Sequence, residues 1–175
     1  MGLLFSKKYY EYRRLVNTNE FEKRTFNGQT RLCKIIDIYD GDTFTIVTKL
    51  HNNEPYSVYK LRLYGFDAPE VKPLKSLPNR ELHKEAGIHL RDMLRDCLPN
   101  GTIVYVDFKN EEKYGRLMGE VYTIKKNIFN ITKNMNICNY LIDNKLVLPY
   151  TGQTKEDFND TILNRILNIN YLHIK

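Results

Sequence analysis

The chain has 175 residues, enough for one domain with a sizeable core and a short appendage. Its 27 Lys and Arg residues exceed 21 Asp and Glu, and the resulting charge of +6 favours a polyanionic partner while arguing only weakly for nucleic acid. No apolar run approaches the roughly 20 residues of a membrane span, and the N-terminus lacks the apolar core of a secretory signal, so an intracellular protein is expected.

Residues 1–28 are polar, basic and rich in tyrosine, and they read as an N-terminal extension ending in the turn-like Asn27-Gly28. Within it, Lys7 to Val16 has the composition of a short helix. From Arg31 the apolar period becomes that of strands. Arg31–Ile38 is followed by the turn Asp40-Gly41 and a second strand, Thr43–Leu50, a strong hairpin signal. After the His51–Pro55 turn comes a third strand, Tyr56–Tyr64. A loop rich in Pro and Lys, Val71–Asn79, leads to a predicted helix, Glu81–Leu98. Leu82, Ala86, His89 or Leu90, Met93, Leu94 and Cys97 share one face of it, and Pro99-Asn100-Gly101 ends it. Thr102–Phe108 and Leu117–Ile124 read as strands four and five. Asn136–Leu146 and Lys155–Ile174 read as helices, the last with Phe158, Ile162, Ile166 and Ile169 in a stripe.

This order predicts an α+β fold: a five-stranded antiparallel β-barrel of the oligonucleotide-binding (OB) type with about three helices. Cys33, Cys97 and Cys138 are too far apart and too few for a disulfide framework, and they read as reduced core residues. The four histidines, His51, His83, His89 and His173, are equally scattered, which disfavours a histidine-bound zinc.

Three turns carry groups that avoid burial. Asp40-Gly41-Asp42-Thr43 is acidic, Arg62 precedes Asp67-Ala68-Pro69-Glu70, and Lys113-Tyr114-Gly115-Arg116 is basic. A hard divalent cation prefers oxygen ligands, and a meander would bring Asp42 and Asp67 to one barrel rim. The plain reading is that Asp40 and Asp42 are turn formers, and that Asp67 and Pro69 occupy an ordinary loop. Arg62, flanked by Leu61 and Leu63, points to the opposite face from them. It is either a solvated side chain or a guanidinium placed to engage phosphate, and the same alternatives hold for Arg116. Each turn alone is a weak signal, whereas their joint order suggests a metal ion facing a phosphate.

That joint pattern resembles the staphylococcal nuclease (thermonuclease) family over about residues 31–171, within a domain spanning 29–175. Glu85-Ala86 and Leu148-Pro149-Tyr150-Thr151-Gly152 fit the resemblance too. It implies Asp42, Asp67 and the main-chain carbonyl of Ala68 as ligands of calcium, the last at a position often held by threonine. It implies Glu70 as general base and Arg62 and Arg116 as the phosphate clamp. Tyr114 and Tyr150 would line the nucleotide pocket, with Lys113 as part of the basic turn on the substrate. Gly152 stands where the staphylococcal enzyme has a further tyrosine, so one pocket wall departs from the pattern. The implied activity is calcium-dependent hydrolysis of DNA and RNA, leaving 3′-phosphates. The alternative from another class is an OB-type barrel that binds nucleic acid without cutting it.

The N-terminus carries a separate expectation. Met1-Gly2-Leu3-Leu4-Phe5-Ser6 matches the pattern for myristoylation at Gly2, with Lys7, Lys8, Arg13 and Arg14 beyond it. A single acyl chain binds membranes with a constant of only about 10⁴ per molar, so a basic segment is the usual second signal for peripheral attachment. The plain alternative is an unmodified terminus.

Overall fold

The computed structural model describes residues 7–16, 25–49, 51–109, 116–126, 128, 130–150, 152 and 157–174. Five strands form the barrel: β1 (Thr30–Asp40), β2 (Thr43–Thr48), β3 (Ser57–Leu63), β5 (Ile103–Phe108) and β6 (Leu117–Lys126). The short β4 (Phe66–Asp67) pairs with β8 (Leu148–Pro149), and β7 (Ile131–Asn136) extends the sheet beyond β6. Sheet order runs β3-β2-β1-β5-β6-β7, and an added pairing of β3 with β6 closes the ring.

That closing pair is parallel, matching Leu61 with Leu117, Arg62 with Met118 and Leu63 with Gly119. The barrel is therefore mixed rather than wholly antiparallel as the element order suggested. Four of the ring's pairings are antiparallel, and a ring of five strands cannot close with every neighbour antiparallel, so the fifth pair is parallel. The described helices number four, not about three: α1 (Lys7–Val16), α2 (Arg80–Cys97), α3 (Ile137–Asp143) and α4 (Asp160–Leu167). None of them is long and apolar enough to cross a membrane.

Alternation explains the strands. Cys33, Ile35 and Ile38 of β1 point inward with Phe44 and Ile46 of β2, Leu61 and Leu63 of β3, Val104 and Val106 of β5, and Val121 of β6. Burial pushes the thiols of Cys33 and Cys138 up to about 12, so both remain protonated core groups. Strand β7 escapes a periodicity reading because Ile131-Thr132-Lys133-Asn134-Met135-Asn136 is polar and largely exposed, with no apolar alternation to betray it.

Helix α2 lies across the barrel and buries His83, Ala86, Gly87, Leu90, Met93 and Leu94. The buried face is thus rotated from the predicted one towards His83 and Gly87, while Leu82 and Cys97 sit at its edges, partly buried. Helix α4 is shorter than the 155–174 stripe. Asn159 caps its start by accepting from Ile162 N at 3.0 Å, and the Asn168 amide donates back to Asn164 O at its end. The chain beyond becomes a strap. His89 Nε2 lies 2.7 Å from Ile169 O, Cys97 Sγ donates to Leu172 O at 3.3 Å, and Leu172 and Ile174 are buried.

Phe26, ahead of β1, is buried against Phe108 at 4.7 Å and Tyr59 at 5.1 Å between ring centroids. The hydrogen bonds Gly28 N to Phe108 O and Phe108 N to Gln29 O, both 2.9 Å, hold it there. Truncating a buried phenylalanine costs about 3–5 kcal/mol through lost transfer energy and a residual cavity. Phe26→Ala should lower the urea midpoint accordingly, and an unchanged midpoint would show that Phe26 contributes nothing to the core.

Candidate functional site

The site is assembled where two turns meet the end of β3 at the outer rim of the barrel. Asp42 ends the β1–β2 turn, next to an irregularity in the pairing between Ile38 and Asp40. Its carbonyl accepts from Leu63 N at 2.8 Å, which ties the turn to the end of β3. Arg62 lies opposite Thr43 in the β2–β3 pairing. The Tyr64-Gly65 turn then folds the chain back so that Asp67, in β4, reaches the same place.

The three charged side chains form a bridged cluster. Arg62 Nη1 lies 2.9 Å from Asp42 Oδ2, and Nη2 donates to Asp67 Oδ1 at 2.6 Å. All three are buried, with about one-tenth or less of each side chain exposed. Of the two readings of Arg62, the solvated outward side chain is therefore wrong: the residue does point away from Leu61 and Leu63, but the turn bearing Asp67 covers it. Thr43 Oγ1 donates to Asp42 Oδ1 at 2.8 Å, fixing the carboxylate from its other side.

Electrostatically, burial outweighs the arginine at Asp42 and disfavours its charged form. Burial raises its carboxyl from 3.8 to about 7; the attraction of Arg62 opposes this, and nearby Asp40 reinforces it. Asp42 N also lies 3.4 Å from Asp40 Oδ1. A carboxylate so placed favours an additional positive charge beside it. The donor chemistry suits a hard cation: two convergent carboxylates, with main-chain carbonyl oxygen and water for the remainder. Among the described residues no group of three or more His, Cys, Asp or Glu side chains converges as a cage. Carboxylates would thus fill only part of a calcium shell of roughly six to eight oxygens.

Close backbone approach makes this convergence possible. A Cβ on Gly41 would stand 2.7 Å from Leu90 Cδ2 and 2.8 Å from Ala68 Cβ, so only glycine lets the acidic turn nest against both. This requirement is steric and differs from the turn-forming role that Asp-Gly suggests in the sequence. A Cβ on Gly87 would stand 2.7 Å from Pro69 O and 2.8 Å from both Glu70 C and Glu70 O. Helix α2 is thereby the back wall on which the Asp67–Glu70 run rests. Gly87 escaped the sequence reading, because nothing local distinguishes a helical glycine that admits a loop from one that is merely tolerated.

The remaining predicted residues are placed as follows. Ala68 is buried beside Gly41, and Glu70 is exposed three residues past Asp67. Arg116 is half-buried and immediately precedes Leu117, the parallel partner of Leu61. Inward Leu117 and Gly119 alternate with Met118, so Arg116 shares the outward face of Met118 and of its partner Arg62. Tyr150 follows β8, its N–H donates to Gly65 O at 2.9 Å, and its ring centroid lies 6.0 Å from Arg62 Cζ. The structure thus brings Asp42, Arg62, Asp67 and Tyr150 into one cluster, with Ala68 and Glu70 on its border and Arg116 one residue ahead of the strand that pairs with β3. Lys113, Tyr114 and Gly2 lie outside the described residues.

No protein-family model matches the chain, and no curated protein matches it.

Gly87→Ala tests the back wall by the sign of its effect. In an unobstructed helix interior, alanine is favoured over glycine by about 0.8–1.0 kcal/mol. Here contacts of 2.7–2.8 Å with backbone atoms should reverse that sign, giving a lower midpoint in chemical denaturation. A stabilised variant would show that the Pro69–Glu70 backbone does not rest on this helix.

Proposed function

We propose that this protein is a calcium-dependent nuclease on an OB-type barrel. It hydrolyses phosphodiesters of DNA and RNA by metal-assisted attack of water and leaves 3′-phosphates. The observation that carries the reading is the bridged pair of buried carboxylates, Asp42 and Asp67. They come from separate turns, and a second arginine is placed on the same outward face. The ordered motifs that resemble the staphylococcal nuclease family support it independently.

Asp42, Asp67 and the carbonyl of Ala68 would hold the calcium ion. When bound, calcium supplies Lewis acidity on a phosphoryl oxygen and orients the attacking water. Glu70 accepts the proton of that water, directly or through a second water, as the water oxygen bonds to phosphorus. The bond from phosphorus to the 5′ oxygen breaks, and that oxygen takes a proton from solvent. Arg62 and Arg116 hydrogen-bond the non-bridging oxygens, whose charge grows at the pentacoordinate stage. Tyr150 and Tyr114 border the nucleotide, and Lys113 adds positive charge on the substrate side. Membrane attachment through an acylated Gly2 remains a separate proposal about the terminus, independent of this chemistry.

A plasmid-nicking assay tests the reading. The wild-type protein should convert supercoiled DNA to nicked forms with calcium and not with chelator. Glu70→Gln should keep calcium binding and lose turnover by orders of magnitude, because an amide cannot accept the proton. Binding of the plasmid without cleavage under either condition would replace the nuclease with a non-catalytic binding barrel. Near-normal turnover in Glu70→Gln would remove Glu70 as base.

A further inference from the structure

The Asp67–Glu70 run of the proposed site also borders a cavity whose other walls the proposed chemistry does not use. The cavity has a volume of about 170 Å³ and is bounded by that run, by Leu74 and Leu77 of the following loop, by His83 on α2, and by Asp157 and Phe158 ahead of α4. For scale, a cavity of about 150 Å³ accommodates a benzene-sized ring.

His83 is the informative residue. It is 94% buried, being 6% exposed, in the first turn of α2, and its ring stands edge-on to Phe158 at 5.7 Å and 89°. Among the described residues its side chain makes no hydrogen bond, although it lines the cavity. Among the described residues no buried side-chain nitrogen or oxygen lacks a partner, so the nitrogens of this imidazole are not sealed but reach the open volume of the cavity, where a ligand edge can meet them. Its two ring nitrogens offer one donor and one acceptor in the neutral form.

The rest of the lining narrows the chemistry. Leu74, Leu77, Phe158 and two prolines provide apolar surface suited to the face of a flat ring. Away from the Asp67–Glu70 run, the carboxylate of Asp157 is the charged group of the lining, and it accepts from N–H donors. The group that fits is therefore neutral, planar and aromatic, with an amino donor beside a ring-nitrogen acceptor. Cytosine and adenine present that pattern, whereas uracil and thymine present an oxo group beside an N–H. Stacking on aromatic side chains with hydrogen bonds to the base edge is the general mode by which unpaired bases are bound.

We propose that this cavity is a nucleobase subsite. His83 and Asp157 read the edge of an amino-bearing base, Phe158 and the leucines hold its face, and the base belongs to a nucleotide flanking the cleaved phosphate. That last clause rests on the nuclease reading. Base binding itself does not, so the two fail separately.

The test uses cytidine and uridine, neutral nucleosides with no bond for the protein to cleave. Imidazole carbon–proton NMR of the full chain shows four histidines, and His83→Gln assigns one signal by its loss. Cytidine should shift the His83 signal saturably at millimolar concentration, uridine should shift it far less, and Asp157→Asn should erase the difference. Phe158→Ala should weaken cytidine in a protein whose other histidine signals are unchanged. A His83 signal that neither nucleoside moves would overturn the proposal, whether the cavity stays empty or is filled by the chain's own residues. Equal response to both nucleosides would overturn the assigned edge recognition. In a cleavage ladder of single-stranded DNA, Asp157→Asn should flatten a preference for C and A beside the cut, and a wild-type ladder with no base preference would argue against a flanking base in this cavity.

Discussion

The guanidinium of Arg62 is the interaction on which the architecture of this rim depends. Asp42 and Asp67 arrive on separate turns, and both are buried. A lone carboxylate in such a place would be strongly disfavoured in its charged form. One planar fork, with a nitrogen 2.9 Å from one acid and 2.6 Å from the other, supplies both with a partner and so joins the turns into one unit. The compensation at Asp42 is incomplete, since its carboxyl is raised to about 7 by burial in spite of the arginine.

Backbone geometry holds the bridge in place. Leu63 N to Asp42 O and Tyr64 N to Gly119 O anchor the end of β3 to both neighbours, and the β4–β8 pair fixes Asp67 beside Leu148. The parallel pairing of β3 with β6 then sets Arg116 alongside this anchored segment. Rigid strand ends thus position the charged groups, while Glu70 sits on a loop pressed against α2 at Gly87. A general base on a supported loop and ligands on strand ends is an arrangement that keeps first contacts within narrow tolerances.

Much of this was legible in the residues. Alternation located all five barrel strands, and the Asp-Gly turn located the first hairpin, because half-buried strands must alternate and tight turns need few residue types. Asp42, Arg62 and Asp67 stood out because charged groups flank apolar strand residues there. What was hidden depended on three-dimensional proximity. The parallel closure follows from the odd number of strands in the ring and leaves no local mark. Strand β7 has no apolar alternation, and α4 stops at Asn168 although its apolar stripe continues into a strap. His83 looked like one scattered histidine, and only the fold places it at a cavity against Phe158. Arg62 showed which face it points to, but not that the next turn would cover it.

The most direct measurement is a calorimetric calcium titration of wild type, Asp42→Ala and Arg116→Ala, paired with single-turnover cleavage by each. If the carboxylates hold the metal and the arginine acts on the phosphate, wild type binds calcium and Asp42→Ala loses affinity by an order of magnitude or more. Arg116→Ala then keeps wild-type affinity while its chemical step slows. Absence of calcium binding in wild type would contradict the account at its centre. Loss of affinity in Arg116→Ala as severe as in Asp42→Ala would contradict its division of roles.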